Sequence, residues 1–229
     1  KLPPPKQPSS SNKLPIFIGV VVALLLATVV WFTQKPSDTT PLKEEAFATE
    51  VIPTENNPVD LGLSVKWAAY NVGASSPEEY GGLYGWADPT GEKKATNSND
   101  SLSGTPPFNI SDTQYDIARA KWGEKWRLPT QQELKELSDK CIWKWTEYKK
   151  VAGYMVTGPN GNRIFLPASG YCYAYGGTVY GRGRNGRYWS GTRKTASSSA
   201  SSLVFSINGW SPLYSDYCKE GNSVRPVSE

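Results

Sequence analysis

Charged residues are missing from residues 14–33, and the run Ile16-Phe-Ile-Gly-Val-Val-Val-Ala-Leu-Leu-Leu-Ala-Thr-Val-Val-Trp31-Phe32 is almost wholly apolar. Twenty residues at about 1.5 Å each span roughly 30 Å, the thickness of a bilayer's hydrocarbon core. Pro15 suits a first helical turn, and Trp31 and Phe32 fall where an interfacial aromatic belt belongs. A cleaved signal peptide fits less well, because its apolar region runs about 7–15 residues with a small-residue site directly after it. Here Ala46-Phe47-Ala48 stands well downstream of that point. The pattern predicts a single transmembrane helix over 14–33. A Pro/Ser-rich lead (1–13) precedes it, and an extended Pro/Thr/Glu-rich stalk (34–57) follows. Lys1, Lys6 and Lys13 stand before the span, whereas Lys35 and Lys43 follow it beside acids, which points the N-terminus to the cytoplasm. The chain opens on Lys1 rather than Met, so processing or further upstream sequence is expected.

From residue 58 onward the pattern changes to short periodic elements. Leu63, Val65 and Trp67 alternate as in a strand, and residues 83–87 read as a second short one. Asp112 or Thr113 can cap a helix that carries Tyr115, Ile117, Ala118 and Trp122 on one face, with Gly123 as a left-handed cap. Pro129 holds Leu128 extended, so the next helix starts at Thr130, whose spacing to Glu133 makes a capping box. Leu134, Leu137 and Cys141 form its apolar stripe. Residues 142–146 alternate again. Residues 154–157 and 163–166 flank Gly158-Pro-Asn-Gly-Asn162, a hairpin with an Asn-Gly turn. Three strand candidates follow at 188–190, 203–207 and 223–227. Residues 93–107 are polar and Ser/Asn/Gly-rich, as in a surface loop. The expected fold class is α+β, with two short helices and short antiparallel strands in a domain over 58–229.

Composition narrows the chemistry. The 229-residue chain contains no histidine. That excludes Ser-His-Asp and Cys-His nucleophiles and His-ligated zinc, and it removes the commonest general base. The net charge of +4 falls on residues 58–229 and forms no dense basic stripe, so no nucleic-acid partner is expected. Nine Trp and thirteen Tyr supply core rings and, at the surface, rigid contact area at low entropy cost. Three cysteines at 141, 172 and 218 allow one disulfide and a spare thiol, with the pairing open. No metal site and no cofactor is read from these residues.

Several blocks then occur in an order that resembles one family. They are Asp60-Leu-Gly-Leu-Ser-Val-Lys-Trp-Ala68, Asn71-Val-Gly-Ala74, Pro77-Glu-Glu-Tyr-Gly81, Tyr115-Asp-Ile-Ala-Arg-Ala-Lys-Trp-Gly123, Trp126-Arg-Leu-Pro-Thr130, Gly158-Pro-Asn-Gly161, Phe165-Leu-Pro-Ala168, Tyr188-Trp-Ser190 and Ser223-Val-Arg-Pro-Val227. Together they resemble the Fibrobacter succinogenes major paralogous domain of gut Bacteroidetes surface proteins, over about residues 59–227. The resemblance implies a C-type-lectin-like fold, with the first and last strands of the domain adjacent. The Glu-Pro-Asn-like and Trp-Asn-Asp-like triplets of calcium lectins are absent. Cys172 and Cys218, 46 residues apart, do not match the close cysteine pair of the formylglycine-generating relatives.

Two aromatic-rich segments are the candidate ligand contacts. Residues 171–187 interleave glycine with Tyr175, Tyr180, Arg182, Arg184 and Arg187, a pattern suited to an adaptable loop rather than a core strand. Residues 208–217 add Trp210, Tyr214 and Tyr217, where lectin-fold relatives display variable side chains. Trp126, Arg127, Thr130, Glu133 and Arg225 read as structural, the arginines holding loop carbonyls or carboxylates. The adjacent acids Glu44-Glu45 and Glu78-Glu79 are spaced wrongly for glycoside cleavage and read as solvated charges. The sequence thus points to a membrane-anchored, non-catalytic module, its domain periplasmic or extracellular, that binds a protein or glycan. A passive display or spacer domain of a longer membrane receptor, or a formylglycine-generating-type enzyme, is the alternative.

Overall fold

Thr130 and Glu133 close the capping box that the sequence predicts. Glu133 N donates to Thr130 Oγ1 at 3.3 Å, and Thr130 N donates back to the Glu133 carboxylate at 2.7 Å. The computed structural model describes residues 57–92, 106–173, 177–194 and 198–229. The expected lead and transmembrane helix, nearly all of the stalk, most of the polar 93–107 loop, and Tyr175 lie outside these residues. Among the described residues, no helix is long and apolar enough to cross a membrane.

The domain is α+β, with mostly antiparallel sheet and two short helices. In chain order the elements are β1 (Lys66–Trp67), α1 (Ile117–Trp122), α2 (Gln131–Lys140), β2 (Ile142–Tyr148), β3 (Val151–Thr157), β4 (Arg163–Pro167), β5 (Tyr171–Cys172), β6 (Val179–Tyr180), β7 (Asn185–Arg193), β8 (Ser199–Ser206), β9 (Gly209–Tyr217) and β10 (Val227–Ser228). β2-β3-β4 and β7-β8-β9 form three-stranded antiparallel sheets, while β1-β10 and β5-β6 are two-stranded. The Asn-Gly turn joins β3 to β4 as expected. Gly161 sits there at φ +88°, and Gly158 N closes the loop on Asn162 O at 2.8 Å.

The two ends of the domain meet, with Lys66 opposite Ser228 and Trp67 opposite Val227. The strands predicted at either end are nonetheless shorter than their alternation suggests. Asp60 Oδ1 caps the Gly62 N–H at 2.7 Å, and the Ser64 N–H is taken by the Glu136 carboxylate. Leu61 and Val65 therefore reach the core from a turn-rich segment and not from a ladder. Residues 83–87 make only an isolated bridge, Tyr84 to Asn222, before Ala87 turns at φ +64°. Residues 223–227 bond alternately to different neighbours: Ser223 O accepts from Trp189 N, Val224 O from Val72 N and Pro226 O from Ala68 N. This segment works as a backbone staple rather than a long strand.

The first helix starts four residues later than Asp112. Asp116 is its cap, fully buried and accepting from the N–H groups of Ala118 at 2.8 Å, Asp112 at 2.9 Å and Leu128 at 2.8 Å. One carboxylate thereby ties the helix start to the extended Trp126-Arg-Leu-Pro segment. Gly123 ends the helix at φ +89°, ψ 177°, a glycine-only conformation outside the left-handed helical region expected for it.

The larger core cluster gathers Leu61, Trp67, Leu134, Leu137, Tyr154, Ile164, Leu166, Leu203, Phe205 and Val227. A second one holds Val72, Trp86, Ile110, Ile117, Leu128, Trp189 and Val224. Each fully buried large side chain contributes roughly 1.5–3 kcal/mol of transfer free energy. That is why the Trp and Leu positions, rather than the short ladders, carry the stability.

Candidate functional site

The expected structural residues behave as framing groups. Arg127 sets its fork on Glu133, at 2.9 and 2.7 Å, and reaches Glu229 at 2.8 Å, while its backbone pairs with Val227. Burial pushes the Glu133 carboxyl up, but the Arg127 and Thr130 bonds outweigh it and hold the group below the usual carboxylate range. Trp126 is buried edge-to-face against Trp122 at 5.5 Å. Arg225 is 1% exposed and satisfies four oxygens: Asn71 Oδ1 at 2.9 Å, Ala68 O at 3.1 Å, Ala69 O at 3.0 Å and Phe165 O at 2.8 Å. Burial pulls its pKa down to about 10. The three cysteines are free thiols, and burial pushes Cys141 and Cys218 up to about 11. The disulfide allowed by the sequence is therefore not formed.

The candidate ligand residues divide between two surfaces, because residues 208–217 are not a loop. They make β9, an edge strand of the second large sheet, with a register irregularity opposite residues 202–204. One face of that sheet sends Tyr188, Leu203 and Phe205 into the core. Trp210 lies on the same face but at its open edge, 41% exposed, stacked on Trp143 at 5.1 Å and 15° and donating its indole N–H to Ser138 Oγ at 3.0 Å. The opposite face carries Arg187, Ser202, Tyr214 and Asp216, tied together by ring contact, ion pair and hydrogen bond.

Against that second face stands the β5–β6 hairpin. Gly170 makes the approach possible: at φ +76°, a Cβ there would lie 2.3 Å from Tyr180 O. Tyr171 pairs with Tyr180, and the rings of Tyr171, Tyr173 and Tyr180 lie 5.9–6.0 Å apart. Arg187 is drawn beneath them, with Cζ 3.6 Å from the Tyr171 centroid and 5.7 Å from that of Tyr214. Tyr173, Tyr180 and Tyr214 remain 51%, 45% and 47% exposed. The result is a tyrosine surface braced on an arginine.

Arg187 differs from the free contact residue expected of it. Its Nη1 donates to Asp216 Oδ1 and, at 3.1 Å, to Glu220 Oε2, and both acids are buried. Nε and Nη2 take no hydrogen-bond partner among the described residues, so one edge of the fork remains available. Arg182 lies over Tyr80 at 4.8 Å, and Arg184 is exposed in the turn closed by Arg184 N to Gly181 O at 2.9 Å. Tyr217 is exposed with Lys219 over its ring at 5.8 Å.

Tyr171, Tyr173 and Asp216 fall inside the two candidate segments but were not among the contacts expected from the sequence, and Glu220 was missed entirely. The available signal was Asp216, two residues beyond Tyr214 on an alternating segment, which puts both on one face. Burial, followed by the negative charge of Asp216, pushes the Glu220 carboxyl up to about 7, against the opposing pull of Arg187. Among the described residues no group of three or more His, Cys, Asp or Glu side chains is arranged to hold a metal ion. The chain matches no family model, no curated protein and no solved structure.

Proposed function

We propose that this protein is a membrane-anchored, non-catalytic recognition module, with Tyr171, Tyr173, Tyr180, Tyr214 and Arg187 as its ligand surface. The supporting observation is the concentration of half-exposed tyrosines around a guanidinium that is immobilised by two buried acids. Tyrosine rings present large rigid faces with a hydroxyl at the edge, and the free fork edge of Arg187 donates to carbonyl, hydroxyl or carboxylate oxygens. Both a glycan face and a protein loop satisfy that chemistry. A residue set without histidine, whose two acids are each clamped to an arginine, supports binding over turnover.

In this reading the anchor is residues 14–33, the N-terminus is cytoplasmic, and the domain lies in the periplasm or outside the cell of a bacterium. The proposed fold is C-type-lectin-like, in keeping with the motif resemblance and with the pairing of β1 and β10 at the ends of the domain. A glycan array and a cell-surface binding screen with the full chain test it. Saturable binding that weakens on Tyr180→Ala with Tyr214→Ala supports the reading. No binding on either format favours a passive display domain.

A further inference from the structure

Hydrogen-bond acceptors outnumber donors where Arg187, Asp216 and Glu220 meet. Nη1 of Arg187 serves an oxygen of each acid. The second Asp216 oxygen accepts from Ser202 Oγ at 2.7 Å and from Asn222 Nδ2 at 2.9 Å. Asn222 is fully buried, and its own carbonyl oxygen has no donor at all. Asp216 and Glu220 are nearly as deeply enclosed, with side chains 1% and 6% exposed.

Two buried carboxylates against one guanidinium leave an excess negative charge in a medium of low dielectric. Taking up a proton is the least costly remedy. Asp216 accepts from three donors, whereas Glu220 has the shared Nη1 alone, so the proton belongs on Glu220. The charged groups acting on Glu220 are Asp216 from β9, Arg187 from β7 and Lys219 on its own segment, while Tyr171 of β5 and Tyr214 of β9 lie against the Arg187 guanidinium.

We propose that Glu220 is a proton switch for the tyrosine surface: its charge sets how strongly Arg187 is drawn toward the acids and away from Tyr171, Tyr214 and an incoming ligand. The inference rests on the recognition reading for its consequence, though not for the switch itself. With Glu220 ionised, two carboxylates share Nη1 and compensate the guanidinium charge. With Glu220 protonated, Asp216 alone balances Arg187, and the proton bridges the two acids. The free Nε and Nη2 edge then meets ligand oxygens with a less compensated positive charge. Ligands that carry carboxylate or hydroxyl acceptors are held more tightly at pH 6 than at pH 8.

The test is a carboxyl-carbon NMR titration of the full chain labelled at glutamate Cδ. Its companion is a titration of the tyrosine ring signals, and Glu220→Gln assigns the resonance. The expected result is one glutamate with a midpoint displaced from the usual 4.5 to about 7, with the Tyr171 and Tyr214 rings shifting at the same midpoint and standing still in Glu220→Gln. A Glu220 midpoint near 4.5, or tyrosine signals that do not follow it, overturns the switch. Should Glu220→Gln fail to fold, Glu220→Asp keeps a carboxyl at the site while deleting the labelled glutamate signal, and so assigns the resonance in the wild-type titration. A chain that titrates as described yet binds nothing on glycan array or cell surface overturns the recognition reading and leaves the switch standing.

Discussion

Trp143 and Trp210 stack at 5.1 Å, joining β2 of one sheet to β9 of the other. The pair explains why Trp210 does not belong with the tyrosine surface: its indole N–H is spent on Ser138 and its ring on the core edge. Trp210→Ala should destabilise the domain by about 1–2 kcal/mol, since the ring is partly exposed and an aromatic pair adds roughly 0.5–1.5 kcal/mol beyond its area. Urea denaturation measures this. Ligand affinity should be unchanged.

Arg225 is the most consequential polar side chain in the core. Arg225→Ala would leave four buried oxygens without donors, at roughly 1–3 kcal/mol each, more than a domain of this size is expected to tolerate. The expected outcome is loss of soluble folded protein. Arg225→Lys keeps a charge but not the fork, and should lower stability by about 3 kcal/mol or more. A lysine variant with wild-type melting would contradict the assigned role.

Stability should depend on pH through Glu220 in a direction opposite to that of most carboxylates. Its folded pKa, about 7, lies above the unfolded value of 4.5, so the folded state binds the extra proton between those two limits. The stabilisation is complete below pH 4.5 and is lost as the pH rises through 7. Glu133 acts the other way, because its depressed pKa removes stability as the pH falls below the unfolded value. Thermal melting between pH 5 and pH 8 should therefore decline in the wild type and flatten in Glu220→Gln.

Thr130→Ala removes one half of the capping box and should lower stability by about 1 kcal/mol. Chemical denaturation reads the change directly. The Arg127–Glu133 pair remains in that variant, so an effect several times larger would mean that Thr130 does more than cap.

Local patterns carried the elements whose cause is local. Thr130 and Glu133, the 158–162 turn and the alternating 142–146 segment were all legible, because capping and turn chemistry reside in a few adjacent residues. The start of the first helix was not, since Asp116 is chosen as cap by Leu128, twelve residues away, as much as by its neighbours. The segment at residues 208–217 misled because Ser, Pro and exposed Tyr imitate a loop, whereas an edge strand needs only one buried face. The site itself depended on β5, β7, β9 and the Glu220 turn coming together. No spacing along the chain announces that Arg187 and Glu220 share a hydrogen bond.

The most direct measurement of the central claim is ligand affinity for the full chain, its Tyr173→Ala/Tyr180→Ala/Tyr214→Ala variant and Trp210→Ala, each with melting checked. These tyrosines are exposed and leave the Arg187 ion pairs intact, so the triple variant should stay folded and lose binding at least tenfold, while Trp210→Ala binds as the wild type does. Unchanged affinity in the triple variant, or lost affinity in Trp210→Ala with wild-type melting, would place recognition elsewhere and contradict the account.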